Sequence, residues 1–298
     1  ESEFQTEKLY TNNEGFTPST ISDDERYIAL SERLTTSDAN IHLLDTQTGD
    51  LQLITPHNGE AINEPQFFSK DNNNLYFTTD IDSEFTYLVS YDITTQKQKV
   101  EQKAKWDINY AYLSYNGAYL ITGINNDAST KIIIQDTQSK EIITIPDLPE
   151  GDISSVNISD SETQMTFYLS NSKIPRDLFL YHFKTKTLKK LTNTLNPEIN
   201  PDDLVAGQVI RFPSFDSLSI PAILYKPNHT QKGDKLPALL YIHGGPGGQT
   251  RLSYTDFNGT EFLKNVSNGK MLDDQTIEKY APNVVEGVNK LSNWALKL

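Results

Sequence analysis

Ser69-Lys70-Asp71-Asn72-Asn73-Asn74-Leu75-Tyr76-Phe77 is a serine, a polar turn and an apolar strand. Val89-Ser90-Tyr91-Asp92-Ile93-Thr94 follows as a strand ending in Asp and a turn, and Lys97-Gln98-Lys99-Val100 as one more short strand. The unit recurs. Ser22, Ser69, Ser114 and Ser159 stand 47, 45 and 45 residues apart, each ahead of an apolar run: Tyr27–Leu30, Leu75–Phe77, Tyr119–Ile121 and Met165–Leu169. Asp45, Asp92 and Asp136 end the next strand of their units, with His182 in the fourth such slot. A closing strand then appears at Leu51–Thr55, Lys97–Val100, Glu141–Thr144 and Leu188–Thr192. Four short strands in a repeat of about 45 residues is the pattern of β-propeller blades. A β-sandwich would also space strands closely but would not repeat them in register.

The predicted blades run over 14–62, 63–107, 108–153 and 154–200. Ser and Asp side chains satisfy backbone N–H groups in tight turns, so Ser22, Ser69, Ser114, Ser159, Asp45, Asp92 and Asp136 are predicted to be structural. His182 is read as a turn residue and Trp106 as core. Asp23-Asp24-Glu25 lacks the alternating ligand spacing of a calcium loop and reads as a solvated turn. Lys8-Leu9-Tyr10-Thr11 matches the closing strand of a blade. The chain therefore reads as starting partway through a repeat, as a fragment of a longer ring would.

Asn196-Pro197-Glu198-Ile199-Asn200-Pro201-Asp202-Asp203 is the best domain boundary, giving a propeller over 1–200 and a second unit over 201–298. Gly207–Phe212 and Leu218–Tyr225 form a predicted hairpin about Phe215-Asp216-Ser217. Then comes Pro237-Ala238-Leu239-Leu240-Tyr241-Ile242-His243-Gly244-Gly245-Pro246-Gly247-Gly248-Gln249. It reads as one buried strand stopped by glycines, which leave main-chain N–H groups open to a ligand. Two such donors aimed at a developing negative oxygen stabilise the tetrahedral intermediate of acyl transfer. His-Gly-Gly after a strand is the oxyanion loop of α/β-hydrolases; a glycine-rich turn without chemistry is the alternative. No Gly-Lys-Ser/Thr follows, which argues against a phosphate loop. Val284, Val285, Val288, Leu291, Trp294, Ala295 and Leu298 share one face of a predicted terminal helix.

Composition bounds the partners. With 26 Lys+Arg against 40 Asp+Glu, the net charge of −14 repels nucleic acid. No apolar run approaches a membrane span, so the chain reads as soluble. The absence of cysteine excludes disulfides, thiolate metal sites and a cysteine nucleophile, and is compatible with cytoplasm or periplasm. No His/Asp/Glu cluster has metal-ligand spacing, and no organic cofactor is indicated.

Propeller repeats, a Pro-bounded hairpin and the HGGPGGQ stretch, in that order, resemble the prolyl oligopeptidase family, with the acylaminoacyl-peptidase-like branch nearest. The resemblance covers about residues 14–250. It implies a mostly β chain: a partial propeller of about four four-stranded blades, followed by the beginning of an α/β-hydrolase domain. It implies a serine peptidase acting on short or N-acylated peptides, its propeller gating entry. By the same resemblance Gly245 would supply an oxyanion N–H, Gly244 would shape the turn and His243 would be structural.

The departure is in the catalytic residues. Hydrolases of this fold place Ser, Asp and His in that order after the glycine loop, with Ser in Gly-x-Ser-x-Gly. No Gly-x-Ser-x-Gly occurs, and the histidines are His42, His57, His182, His229 and His243, none beyond the loop. Ser253, Ser267 and Ser292 have no elbow, so no catalytic residue is nominated. The chain is expected to be inactive alone, its missing hydrolase part being one partner and a short peptide the other. A non-catalytic propeller that binds peptides or proteins is the alternative.

Overall fold

The computed structural model describes residues 8–234 and 248–254. The first blade is the antiparallel meander β1 (Thr17–Ile21), β2 (Tyr27–Arg33), β3 (Ala39–Asp45) and β4 (Leu51–Leu53). The second is β5 (Asn63–Phe68), β6 (Asn74–Thr79), β7 (Tyr87–Asp92) and β8 (Gln98–Gln102), in the same order. The third is β9 (Ile108–Leu113), β10 (Tyr119–Asn126) and β11 (Ser129–Asp136). The fourth is β12 (Asp152–Ile158), β13 (Gln164–Ser170), β14 (Asp177–His182) and β15 (Thr187–Lys190). A separate two-stranded sheet, β16 (Gln208–Pro213) with β17 (Ser219–Leu224), matches the predicted hairpin.

The turn chemistry explains the repeat. Ser22, Ser69, Ser114 and Ser159 each accept, through Oγ, the N–H five residues on: Tyr27 at 2.9 Å, Asn74 at 3.0 Å, Tyr119 at 2.9 Å and Gln164 at 3.2 Å. The fourth residue of each turn is left-handed, whatever its type: Glu25 (φ 61), Asn72 (φ 60), Gly117 (φ 81) and Glu162 (φ 53). Asp45, Asp92 and Asp136 cap the next turn, their carboxylates accepting the N–H of Gln47 at 2.9 Å, Thr95 at 2.7 Å and Ser139 at 2.8 Å. The Arg26 side chain foremost holds Asp45 below its ordinary pKa, whereas backbone N–H donors from Thr95 and Ser139 do so for Asp92 and Asp136. Ser114→Ala orphans an N–H beside a buried position and is expected to cost about 1–2 kcal/mol in chemical denaturation. Ser159→Ala, whose bond is longer and exposed, should cost less.

Blade 3 departs from the expected four strands. Its closing segment makes a single bridge, Gln135 with Ile142, although Ile143 N–H still reaches the Ile134 carbonyl at 2.8 Å. Pro146 follows at once and has no N–H to extend a ladder. Lys8–Thr11 likewise forms no strand, having no described strand to pair with.

The sheets pack face to face in chain order, and the cores lie between blades rather than inside them. Ala29, Ile41 and Leu43 meet Leu75, Phe77 and Val89 between blades 1 and 2. Phe67 and Leu88 meet Ile108, Ala111 and Ile124 between blades 2 and 3. Ile121 and Ile134 meet Met165, Phe167 and Tyr181 between blades 3 and 4. Alternation along a strand supplies both faces, as in Phe67/Phe68 and Leu88/Val89. Polar staples cross each seam at the blade period. The Asn63 side chain donates to the Ala39 carbonyl at 2.9 Å; Asp107 accepts Thr86 N–H at 3.0 Å, and Asp152 accepts Thr130 N–H at 2.6 Å.

Candidate functional site

An up-and-down meander sorts its connections to two rims. The Ser and Asp turns occupy one; the β2–β3, β6–β7, β10–β11 and β13–β14 connections occupy the other, together with the links between blades. All described contacts between the propeller and residues 207–252 fall on this second rim, over blades 3 and 4. Gly207 N–H donates to Ser172 Oγ at 3.0 Å. The backbone passes so close there that a Cβ on Gly207 would stand 2.8–2.9 Å from Leu252, Ser172 and Tyr225. The Arg211 guanidinium lies 2.8 Å from the Asp127 carboxylate.

The segment after the glycine stretch is clasped hardest. Arg251 donates to Asp152 Oδ1 from Nη2 at 2.7 Å and from Nε at 3.2 Å, and to Asn125 Oδ1 from Nη1 at 3.0 Å. Its Nη2 also donates to the Thr130 hydroxyl. Leu252 N–H reaches the Ala128 carbonyl at 2.8 Å, and the Gln249 amide donates to the Asp127 carbonyl. The side chains of Arg251 and Asp152 are 27% and 17% exposed, burial enough that the guanidinium fork outweighs an ordinary surface pair.

On the same rim of blade 1, His57 bridges two acceptors, the Thr55 carbonyl at 2.9 Å (Nδ1) and Asp38 at 3.0 Å (Nε2). Two acceptors require both ring nitrogens to donate, which is the imidazolium. The Thr55 carbonyl foremost, then Asp38, raise its pKa against the opposing effect of burial. This clamp ties the β2–β3 connection to the strand exit.

Gly244 and Gly245, with His243, lie outside the described residues, as do Ser267, Ser292 and the predicted terminal helix. Ser253 is described, its N–H donating to the Arg251 carbonyl at 3.0 Å. His182 occupies its turn slot, with Lys186 left-handed four residues on, as Gly49, Gln96 and Lys140 are after the three aspartates. Trp106 packs on the seam between blades 2 and 3, 5.5 Å from the Phe85 ring. Asp24 accepts the Ser22 hydroxyl at 2.6 Å, and Asp23 pairs with Lys70 at 2.8 Å, so the acidic run ties turns together. A groove of about 370 Å³ floored by Phe67, Tyr76, Leu113 and Leu120 opens on the opposite rim.

Among the described residues no group of three or more His, Asp or Glu side chains could hold a metal ion. Among them, too, no helix is long and apolar enough to cross a membrane. Arg251, Asp152, Asn125 and Thr130 carried no signal in sequence. Arg251 and Asp152 are 99 residues apart, and neither sits in a motif.

Residues 7–194 match the family model described as prolyl oligopeptidase, N-terminal beta-propeller domain. Human dipeptidyl peptidase 8 (Homo sapiens) is 29% identical over 102 residues, 32% of this chain and 11% of that protein. A prolyl endopeptidase structure, from work on inter-domain dynamics in catalysis and specificity, superposes with a TM-score of 0.66 at 16% identity. It covers 79% of this chain and 34% of its own. A puromycin-hydrolyzing peptidase of Mycobacterium tuberculosis also gives 0.66, at 12% identity, covering 83% of this chain and 40% of its own. At such identities the superpositions establish the fold alone, and this chain spans 34% and 40% of the two structures it matches.

Proposed function

The chain belongs to the prolyl oligopeptidase family through its N-terminal propeller, and from that premise we propose that it is the propeller and the opening of the hydrolase domain of a serine peptidase acting on short or N-acylated peptides. In this reading residues 1–200 gate the entry of substrate, and 201–298 begin the catalytic domain. Gly245 offers an oxyanion N–H and Gly244 shapes the turn. A catalytic portion carrying the serine and the histidine would be the chain's protein partner, and a short peptide its ligand.

One observation carries the reading: Gly207, Arg211 and residues 249–252 all meet a single rim of the propeller, at the seam of blades 3 and 4. A second domain that followed the blades by chance would have no reason to lay two arginines on two rim aspartates. The β16–β17 hairpin supports the boundary, because it makes a sheet of its own rather than extending a blade.

An oxyanion loop lowers a barrier only where a nucleophile and a base create the anion. This sequence has no serine elbow and no histidine after the loop. The chain alone is therefore expected not to turn over peptidyl or acyl esters, measured by release of a chromogenic leaving group; turnover abolished by a single serine substitution would refute this. The alternative, a propeller that only binds peptides, finds room in the family's peptide chemistry. It is separated by calorimetry: peptide binding that survives removal of residues 201–298 would favour it.

A further inference from the structure

Asp152 is used twice. Its Oδ1 accepts the Thr130 N–H that staples blade 3 to blade 4, and the same oxygen accepts Arg251 from Nη2 and Nε. Arg251 in turn spans the seam, reaching Asn125 and Thr130 on blade 3 and Asp152 on blade 4. We infer that Arg251 and Asp152 form a latch that couples closure of the blade 3–blade 4 seam to the seating of the segment carrying the glycine loop.

The coupling follows from the shared atom. With Arg251 in place, the Asp152 carboxylate is held from two sides at a fixed position for the Thr130 amide. Without it the carboxylate is free to turn toward water, and the staple loosens. The reverse holds by linkage: an opened seam separates Asn125 and Thr130 from Asp152, and Arg251 can no longer bridge them. Arg211 on Asp127 makes a second, parallel contact on the same rim.

Gly245 lies six residues before Arg251 in sequence, so with Arg251 latched chain connectivity alone keeps it within about 22 Å. Arg251 is thus a positioning residue for the loop. That catalytic meaning rests on the oxyanion reading above; the latch itself does not.

The test is amide hydrogen exchange on the full chain, comparing wild type with R251Q, R251K and D152N. R251Q should speed exchange of the Leu252 amide about tenfold and of the Thr130 amide at least about twofold, with Ala29 and Ile41 in blade 1 unchanged. D152N, which keeps the shape of Asp152, should accelerate both seam amides. R251K should recover part of the loss, because one ammonium cannot fork to Asp152 and Asn125 together. Faster exchange at Leu252 with Thr130 unmoved would overturn the coupling, and no change at either would overturn the latch. Faster exchange throughout the chain in both R251Q and D152N would overturn a local device. None of these outcomes depends on whether Gly245 meets an oxyanion, which the ester assay addresses separately.

Discussion

Phe167→Ala is expected to cost about 3–5 kcal/mol of unfolding free energy, the largest loss from any single truncation considered for this chain. Phe167 is fully buried in β13 and sits opposite Phe179 of β14, their rings stacked at 5.7 Å. Its neighbours come from two sheets: Ile121 and Ile134 from blade 3, Met165 and Tyr181 from blade 4. The hole left by the ring would open on a seam, where each blade is held by its neighbour and can collapse inward only by tilting. Denaturant unfolding gives the magnitude, and hydrogen exchange gives the location. Blades 3 and 4 should lose protection more than blade 1; an even loss would mean the blades do not stack as separate seams.

Asp177→Ala is expected to cost about 2 kcal/mol. The carboxylate is fully buried at the start of β14, with Lys190 Nζ at 2.6 Å and the Thr192 hydroxyl and Thr194 N–H both donating at 2.9 Å. Removal strands those donors, and it frees Thr192, whose oxygen accepts Leu178 N–H at 2.8 Å. Lys190 is 40% exposed and can return to water, which keeps the loss below that of breaking a fully buried pair.

Burial alone would raise the Asp177 carboxyl, but Lys190, Thr192 and Thr194 together overcome it and leave its pKa below the ordinary value. The folded chain therefore binds this proton more weakly than the unfolded chain does. The stabilisation is present in full above the ordinary aspartate range and is lost as pH falls through the lower, folded value. The stability gap between wild type and D177N should accordingly be widest near about pH 7 and narrow toward about pH 3. A gap constant across that range would show that the charge of Asp177 carries none of its effect.

The propeller was legible in sequence because the same side-chain chemistry closes every turn. Ser22, Ser69, Ser114 and Ser159 recur because a hydroxyl must meet the N–H five residues on, and the aspartates recur for a related reason. Local bonds leave a local pattern. In blade 3, Glu141–Thr144 reads in sequence like the other closing strands, and the break in the repeat shows only in the ladder itself. The staples at Asn63, Asp107 and Asp152 also recur at the blade period, yet the first donates an amide and the other two accept through a carboxylate, each an ordinary polar residue at a strand start. Asp177 looks like one more strand-initial aspartate, and only its burial sets it apart. Arg251 is the furthest from sequence reasoning: its partners lie 99 to 126 residues earlier in the chain, and a single arginine in a polar stretch has no periodicity to betray it. The glycine stretch was read by motif alone, since Gly244 and Gly245 lie outside the described residues.

We propose that this chain carries an oxyanion loop at Gly244 and Gly245 without the serine elbow or downstream histidine that would generate the anion. Intact-mass analysis after exposure of the isolated chain to a fluorophosphonate probe tests it most directly. The mass should remain that of the unmodified chain, with no serine labelled. A single stoichiometric adduct, mapped to one serine and lost on denaturation before labelling, would mean that a working nucleophile and base are present and that the account is wrong.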